Sequence, residues 1–371
     1  MKFDTIKLSE LAAIQTGPFG SQLHKEDYVV HGTPIVTVEH LGSRKFTEQN
    51  LPCVSDKDKE RLKKYVLKTG DIVFSRVGSV DRCSYVSAEY EGWMFSGRCL
   101  RVRPCEKLNP EYLYYFFLLE KTKQFVRNIA TGATMPSINT KFMGEIPIRV
   151  PSLDAQNKIA SILWMIDDKI ELNKKINKNL EQQAQAIYSR MFIEHRQESW
   201  STGQLSDLIS VKYGKDHKKL ADGNYPVYGS GGIMRYVEKP LYTGESVLIP
   251  RKGTLNNIMY VNEAFWSVDT MFYTEMLRPN IAKFVYHFVK SKDLASLNAG
   301  SAVPSMTTNI LNAMQLYIPD EKTLEKFENI VSPMYSAMQE NTKESKILAN
   351  TRDALLPKLM SGELDVSDID L

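Results

Sequence analysis

Cysteine and histidine are scarce in this chain, and no apolar segment is long enough to cross a membrane. The four cysteines, from Cys53 to Cys105, show no C-x-x-C spacing, and the six histidines are scattered without the spacing of metal ligands. The longest apolar run, 112–119, is far shorter than the roughly 20 residues that a transmembrane helix needs. We therefore expect a cytoplasmic protein with reduced thiols, no metal centre and no membrane segment.

The motifs of common catalytic sites are also missing. A phosphate-binding loop needs Gly-Lys-Ser or Gly-Lys-Thr, and the sequence contains neither. A DNA amino-methyltransferase needs an Asn/Asp-Pro-Pro-aromatic segment, whereas Asn109-Pro110-Glu111-Tyr112 lacks the second proline. Proline in the first turn of a helix explains that segment better. The sequence therefore predicts a chain without catalytic activity of its own.

Charge by itself does not identify a partner. The formal net charge is +3 over 371 residues, so only a local cationic patch would indicate a nucleic acid. The hydrophobic content of 43% and the charged content of 25% are typical of a soluble globular protein. The length is enough for two or three domains with sizeable cores.

What the sequence does contain is an internal repeat. The segment TGATMPSINTKFMGEIPIRVPSLDAQ begins at residue 131, and AGSAVPSMTTNILNAMQLYIPDEKTL begins 168 residues later, at 299. Upstream, 8–11 matches 205–208 at a separation of 197, so the first copy carries 29 extra residues, mostly within 17–70. Two modules therefore share a scaffold and differ in their inserts, where recognition usually varies.

Each copy places a mixed globular part before a long helix. Short apolar runs bounded by glycine and proline, such as 71–74 and 246–249, predict buried strands, and 111–125 and 281–291 predict helices at matching places. The fold class is therefore α+β, with two pseudo-repeated α/β domains joined by two long antiparallel coiled-coil helices. The predicted boundaries are 1–151 for the first domain, 152–195 for the first helix, 196–319 for the second domain, 320–362 for the second helix and 363–371 for a tail.

The long helices carry apolar residues at alternate steps of three and four, which indicates a coiled-coil seam. The predicted seam positions are Ile159, Ile166, Asn173, Leu180, Ile187, Phe327, Met334, Asn341, Leu348 and Leu355. The same pattern also places Ile176 in the seam. In an antiparallel pair the middles meet, so Asn173 and Asn341 are expected to lie close together and to set the register. The alternative is that each helix packs only on its own domain.

Two similar heads on a rigid spacer suit a bipartite DNA site, because duplex DNA presents equivalent groove faces about every 34 Å. Base reading uses cationic and amide side chains on loops, with phosphate contacts fixing the register. The candidate DNA contacts are Gln22, His24, Lys25, His40, Arg44, Lys45 and Arg76 in the first copy and Lys212, Lys215, His217, Lys218, Lys219, Arg235, Arg251 and Lys252 in the second. The alternative is a solvated charged face.

Arg76 and Arg251 recur in R-x-G-[ST] turns, each after a predicted strand. Two roles remain open for this pair of arginines. Each side chain either contacts phosphate or forms a structural salt bridge.

The order of these segments resembles the specificity (S) subunit of type I restriction–modification systems, and the resemblance covers the whole chain. Its two target-recognition domains are each followed by a spacer helix. The recurring segments are Leu8-Ser9-Glu10-Leu11, Gly17-Pro18-Phe19-Gly20-Ser21, Gly70-Asp71-Ile72-Val73, Gly78-Ser79, Ile146-Pro147-Ile148, Leu153-Asp154-Ala155-Gln156 and the run from Leu356 to Leu364. The second copy departs from the pattern at 215–217, where the Pro-Phe-Gly of the first copy is missing.

The resemblance implies that each domain reads one half of an asymmetric, interrupted DNA sequence and that the helices set the gap. Two modification subunits, which bind S-adenosylmethionine and methylate adenine, would dock on the helices. Restriction subunits, using ATP and magnesium, would join them for cleavage, and this chain itself would bind no cofactor. Two alternatives are a coiled-coil scaffold whose heads bind proteins and a specificity factor that serves methylation only.

Overall fold

The computed structural model describes most of the chain, namely residues 1–132, 134–297 and 305–369, with only the backbone of Lys25. The chain forms two compact units, which are residues 1–172 with 344–371 and residues 173–343. Each unit therefore contains one globular domain and part of each long helix. Residues 299–304, at the start of the second repeated segment, lie outside the described residues.

The first unit is built on a four-stranded sheet that is formed, in spatial order, by Ala12–Thr16, Cys99–Pro104, Ile72–Ser75 and Cys83–Tyr85. The strands are β1 (Asp4–Lys7), β2 (Ala12–Thr16), β3 (Tyr28–Val29), β4 (Thr33–Val36), β5 (Cys53–Val54), β6 (Ile72–Ser75), β7 (Cys83–Tyr85), β8 (Met94–Phe95), β9 (Cys99–Pro104) and β10 (Pro147–Val150). The helices are α1 (Leu8–Leu11), α2 (Asp56–Arg61), α3 (Pro110–Leu118), α4 (Glu120–Ile129) and α5 (Thr140–Gly144).

The second unit is built on a six-stranded sheet that is formed, in spatial order, by Ile209–Tyr213, Met271–Met276, Tyr242–Pro250, Met259–Ser267, Asp222–Gly229 and Gly232–Val237. The strands are β11 (Ser201–Gln204), β12 (Ile209–Tyr213), β13 (Asp222–Gly229), β14 (Gly232–Val237), β15 (Tyr242–Pro250), β16 (Met259–Ser267), β17 (Met271–Met276) and β18 (Gln315–Ile318). The helices are α6 (Ala282–Lys290) and α7 (Thr308–Asn312).

The repeat found in the sequence is also a repeat of the fold. The antiparallel pair β1–β10 corresponds to the antiparallel pair β11–β18, and the order β2-β9-β6 corresponds to β12-β17-β15. The parallel pair β4–β8 in the first unit likewise corresponds to β13–β16 in the second. The predicted α+β fold with two pseudo-repeated domains is therefore confirmed.

The insert of the first copy forms a small layer with its own core. Strands β3 and β5 extend the β4–β8 pair into a second four-stranded sheet, and α2 follows β5. Leu41, Phe46, Leu62 and Leu67 are buried in this layer. In the second copy only β14, the partner of β13 in a hairpin, extends the parallel pair β13–β16. The two domains therefore differ most beside the parallel pair.

The segment predicted to be helical near 111–125 is helical, but it consists of two helices, α3 and α4. The chain leaves the helical conformation at Leu119, whose ψ is 131°. All residues from 112 to 117 are buried, whereas α4 buries only Thr122 and Val126. The break separates an apolar helix that is enclosed by the core from a charged helix that exposes one face.

The two long helices, Leu153–Tyr188 and Glu321–Ser361, run antiparallel within each unit. In the first unit, Lys169 Nζ lies 3.4 Å from a carboxylate oxygen of Glu344. In the second unit, Asn173 Nδ2 donates to the backbone oxygen of Asn341 at 3.4 Å. The predicted proximity of Asn173 and Asn341 is therefore confirmed.

Burial follows the predicted seam, apart from one position. Ile159, Asn173 and Phe327 are buried, and the half-buried members are Ile166, Leu180, Ile187, Met334, Asn341, Leu348 and Leu355. Ile176 is 38% exposed, so its placement in the seam was wrong. Steps of four and three from Asn173 lead to Asn177 and Leu180, and it is Asn177 Nδ2 that donates to Met338 O at 3.1 Å.

The helices also pack on their own domains, so both alternatives for them apply. Ile159 and Leu163 belong to the core of the first unit, together with residues of α3. Phe327 and Val331 belong to the core of the second unit, together with residues of α6. Each domain is therefore fixed on the helix segments within its own unit.

Candidate nucleic-acid interface

The first arginine turn, residues 76–79, lies where β6 ends. The backbone oxygen of Arg76 accepts from Ile138 N at 3.0 Å. Its Nη1 donates to the backbone oxygen of Gly97 at 3.0 Å, and its guanidinium carbon lies 5.3 Å from the centre of the Phe19 ring. Phe19 is 50% exposed, which places this arginine–aromatic pair at the protein surface.

The second arginine turn, residues 251–254, repeats this arrangement at the end of β15. The backbone oxygen of Arg251 accepts from Met306 N at 2.9 Å. Its Nε donates to the backbone oxygen of Asp269 at 2.9 Å, and its guanidinium carbon lies 5.8 Å from the centre of the Tyr213 ring. Tyr213 is 54% exposed. Both copies therefore present an arginine held by a carbonyl beside an exposed aromatic ring.

The repeated Pro-Ser segment holds each arginine turn in place. Ser137 forms an antiparallel bridge with Val77 in the first unit, and Ser305 forms the corresponding bridge with Lys252 in the second. Each bridge lies next to the backbone hydrogen bond that the arginine oxygen accepts. The repetition of this segment is thus explained by its contact with the arginine turn as well as by the start of the long helix.

Glycine is required at the third position of both turns. Gly78 has a φ of +76° and Gly253 has a φ of +85°, a left-handed conformation that side chains disfavour. The R-x-G-[ST] pattern therefore encodes one backbone conformation in both domains. Because of this shared conformation, each arginine occupies the same position relative to the sheet of its own domain.

The salt-bridge interpretation of Arg76 and Arg251 is wrong for the part of the chain that the structure describes. No carboxylate of the described residues forms an ion pair with either guanidinium. Both side chains are half-buried and are oriented by neutral carbonyl groups. Their positive charge is therefore not neutralised by a described acid, as a contact with phosphate requires.

Most of the insert candidates in the first domain are held by contacts within the protein. Gln22 Oε1 accepts from the hydroxyl of Tyr65 at 2.6 Å. Lys45 forms an ion pair with Glu89 at 2.6 Å, while His24 is exposed. The side chain of Lys25 lies outside the described residues.

Two insert candidates are buried or docked, which corrects the prediction that they contact DNA. His40 is 1% exposed, and its ring nitrogens lie 2.9 Å from Thr37 N and 3.2 Å from Gln49 O. Arg44 pairs with Asp168 of the first long helix at 2.6 Å and lies 4.5 Å from the Trp164 ring centre. Both side chains organise the insert, and Arg44 fixes it to the helix.

The second domain has several exposed cations, of which Lys252 lies within the arginine turn. Arg235, a predicted DNA contact, pairs with the exposed Asp222 at 2.7 Å and also donates to the backbone oxygen of Leu220. Lys212 lies 3.5 Å from Glu275, and both side chains are partly exposed. His217 is half-buried. The candidates that are exposed and form no ion pair with a described acid are Lys215, Lys218, Lys219 and Lys252.

Sequence reasoning missed two residues at this surface, Ile233 and Met234. They are 49% and 61% exposed and follow the turn between β13 and β14. The usable signal was Gly231-Gly232 followed by two large apolar residues in a strand whose neighbours are polar.

In each unit a buried hydrogen bond links a helix of the domain to a long helix. The two hydrogen bonds lie at equivalent positions of the repeat but use different residue pairs. In the first unit the hydroxyl of Tyr115 donates to Asp167 at 2.7 Å. In the second unit the hydroxyl of Tyr335 lies 2.9 Å from His287 Nε2. Burial lowers the pKa of His287 to about 4, so this imidazole is neutral near pH 7. Both joints therefore use buried hydrogen bonds without a requirement for a charged histidine.

The structure also describes the cysteines, the side chains that could bind a metal, and the apolar character of the helices. The four cysteines are free thiols, and burial raises the pKa of Cys83 and Cys99 to about 12. Among the described residues, there is no group of three or more His, Cys, Asp or Glu side chains placed to hold a metal. No helix in the described part of the chain has the length and apolar character that crossing a membrane requires.

Comparison with known proteins gives this architecture a family. A family model described as the type I restriction modification DNA specificity domain matches residues 1–182 and, a second time, residues 197–348. The chain belongs to this family. Its two copies of the DNA specificity domain coincide with the two halves of the internal repeat. The coiled-coil scaffold interpretation is not favoured by this membership.

Several specificity subunits are similar to this chain over most of its length. It is 23% identical over 309 residues to the type I restriction enzyme MjaIX specificity subunit of Methanocaldococcus jannaschii, covering 72% of each chain. It is 25% identical over 381 residues to the putative MjaX specificity subunit of the same organism, covering 90% of this chain and 88% of that one. The crystal structure of a type I restriction–modification S subunit from M. genitalium matches with a TM-score of 0.64, 18% identity and 96% coverage of both chains. The similarity to this crystal structure, at 18% identity, is a similarity of fold.

Proposed function

We propose that this chain supplies DNA sequence specificity to a type I restriction–modification complex, with each domain reading one half of an asymmetric bipartite target. The observation that carries the proposal is the arginine turn, which is built twice from equivalent contacts at the surface. A shared arginine suits a contact with phosphate, which every DNA sequence presents, whereas the differing inserts suit base reading. Family membership supports the same role.

The proposal includes partners that perform the chemistry. Two modification subunits, carrying S-adenosylmethionine, dock on the long helices and methylate adenine in the target. Restriction subunits, where the system has them, add cleavage driven by ATP and magnesium. The relatives named as specificity subunits of type I restriction enzymes support this division of labour. The chain itself binds no cofactor in this scheme.

Methylation mapping tests the proposal directly. Cells that express this chain with its modification subunit are expected to carry a methylated motif of two specified halves separated by a fixed gap. Cells that express the modification subunit alone are expected to lack that motif. If the motif is the same without this chain, or is one continuous block, the chain does not act as a reader with two domains.

The salt dependence of binding separates a DNA reader from a protein scaffold. Because phosphate contacts release counterions, the logarithm of the DNA association constant should fall linearly with the logarithm of the salt concentration. Six to ten phosphate contacts predict a loss of about 10³–10⁵ in affinity between 50 and 200 mM salt. An affinity that hardly changes over this range would contradict a phosphate-based interface.

A further inference from the structure

The hairpin tip of the second domain, residues 229–234, combines glycine with exposed apolar side chains. Ile233 is 49% exposed and Met234 is 61% exposed, directly after Gly231 and Gly232. The strand that carries them, β14, is the terminal strand of its sheet. Two large apolar side chains that are adjacent in sequence are thus exposed near the tip of the β13–β14 hairpin.

The hairpin tip lies against the second arginine turn. Asn257 Nδ2 donates to the backbone oxygen of Ser230 at 2.7 Å. A Cβ atom at Gly253 would lie 3.0 Å from Ser230 Oγ, so the turn and the tip are in close contact. The backbone oxygen of Tyr228, at the end of β13, accepts from Val268 N at 3.1 Å, next to Asp269, the carbonyl partner of Arg251. The apolar tip and the arginine therefore share one surface.

The charges around the hairpin tip define the class of molecule that covers it. Lys252 is the residue after Arg251, and Lys215, which precedes the exposed Lys218 and Lys219, donates its backbone N–H to Ser267 O at 2.8 Å, next to Val268. None of these four lysines forms an ion pair with an acid of the described residues. An apolar tip among unpaired cations is complementary to a polyanion that presents apolar groups inside a groove.

Duplex DNA has this character in its major groove. That groove admits a two-stranded ribbon, and the 5-methyl group of thymine is the apolar group that its base edges present. Methionine, with an unbranched and polarisable side chain, adapts to such a contact. We propose that the hairpin tip enters the major groove of the second half-site and that Met234, supported by Ile233, contacts a thymine 5-methyl group. This inference rests on the proposed function.

The test measures base preference of the chain in complex with its modification subunit. Methylation mapping first defines the two half-sites of the wild-type complex. Binding is then measured on duplexes in which each thymine of the second half-site is replaced in turn by deoxyuridine, which lacks only the methyl group. One replacement is expected to weaken wild-type binding about 5-fold or more, within the range of about 5- to 150-fold for a lost base contact.

The variant Met234→Ala is expected to bind the thymine and deoxyuridine duplexes equally, because the contact is already absent. Its discrimination at that base pair should fall by the same factor, while the first half-site and the gap stay unchanged. Leu277→Ala is the matched control. Leu277 is 56% exposed and comes directly after β17, at the end of that strand that is farther from the arginine turn. That control should retain wild-type discrimination. Met234→Leu, which keeps an apolar contact, guards against misfolding as the cause of a loss.

Three results would overturn the inference while leaving the proposed function in place. They are a second half-site without any A·T pair, wild-type binding that ignores every deoxyuridine replacement, and a Met234→Ala variant that discriminates bases as the wild type does. If the wild-type complex shows no half-sites at all, the proposed function itself fails. The two failures are therefore distinguishable.

Discussion

At the scale of single residues, Arg76 and Arg251 make the sharpest prediction. If each contacts phosphate, Arg76→Ala and Arg251→Ala should each weaken binding to all DNA sequences alike. The slope of log affinity against log salt should become shallower by about one for each substitution. Fluorescence anisotropy with a target duplex and an unrelated duplex, over a salt series, measures both quantities.

Replacing the same arginines by lysine separates charge from geometry. Lysine keeps the positive charge, but it cannot reproduce the contact of a planar guanidinium with the ring of Phe19 or Tyr213. The salt slope should therefore stay close to that of the wild type while affinity falls. A purely structural arginine would give a different result, namely a lower melting temperature with an unchanged salt slope for the alanine variants.

Lys283 makes a second residue-scale prediction, which concerns how the recognition domain is held. It is 4% exposed, and its Nζ lies 2.7 Å from Glu245 and 2.6 Å from Glu328 on the second long helix. Lys283→Met leaves two half-buried carboxylates without their cation and should cost about 1–3 kcal/mol at pH 7. Denaturant unfolding followed by tryptophan fluorescence measures this loss.

The pH dependence of that loss has a definite sign. Burial alone would raise the pKa of Glu245, but hydrogen bonds from Lys283 and Tyr260 outweigh it and hold the pKa below the usual 4.5. A lowered carboxylate pKa stabilises the fold above the unfolded-state pKa, and the contribution is lost as the pH falls through the folded value. The difference between wild type and Lys283→Met should therefore be largest near neutral pH and shrink below about pH 4.5. A constant difference would contradict this account.

The residue scale also shows what the sequence could and could not predict about the site. The two arginine turns were found because their pattern recurs with a glycine that the backbone requires. His40 and Arg44 were misassigned because a cation in an insert gives no sign of whether it is solvated or docked, and both are docked. Met234 was missed because the exposure of an apolar side chain depends on where its strand lies in the sheet.

At the scale of elements, the long helices predict how a polar group fixes their register. Asn341 Nδ2 donates to Asn177 Oδ1 at 2.9 Å within the seam. Either single substitution, Asn177→Leu or Asn341→Leu, removes a partner and should cost about 1 kcal/mol. The double variant replaces both partners with apolar groups and should regain that stability or exceed it. Additive losses in this double-mutant cycle would show that the two amides do not interact.

Helices were predicted well where the apolar pattern repeats over many residues. They were predicted less well where the degree of burial changes within one segment. The seam positions on the two long helices follow a heptad pattern that continues over more than thirty residues in each helix. The segment 111–125 was predicted as one helix because α3 and α4 are separated by a single non-helical residue, Leu119. Nothing local marks that residue, since the break follows from how the two segments are buried.

At the scale of the whole molecule, the absence of catalytic motifs leads to a prediction about the purified chain. Incubated alone with DNA and S-adenosylmethionine, or with ATP and magnesium, it should neither methylate nor cut. Radiolabelled methyl transfer and gel analysis of plasmid DNA provide the two measurements, and the complex with the modification subunit serves as the positive control. Reproducible turnover by the chain alone would contradict its assignment as a subunit that only recognises DNA.

The division of labour between the domains leads to the last prediction. The two copies share their sheets, their arginine turns and their joints to the helices, but they differ around 18–69 and around the hairpin β13–β14. Replacing 213–242 with the same region of a related specificity subunit should therefore change one half of the methylated motif. The other half, read by the domain that contains 18–69, and the gap set by the helices should stay the same, because lost base contacts of about 1–3 kcal/mol each act only where they are made. Methylation mapping of the chimera with its modification subunit provides the measurement. A simultaneous change in both halves or in the gap would show that the domains do not read independently, even if the chimera still binds DNA.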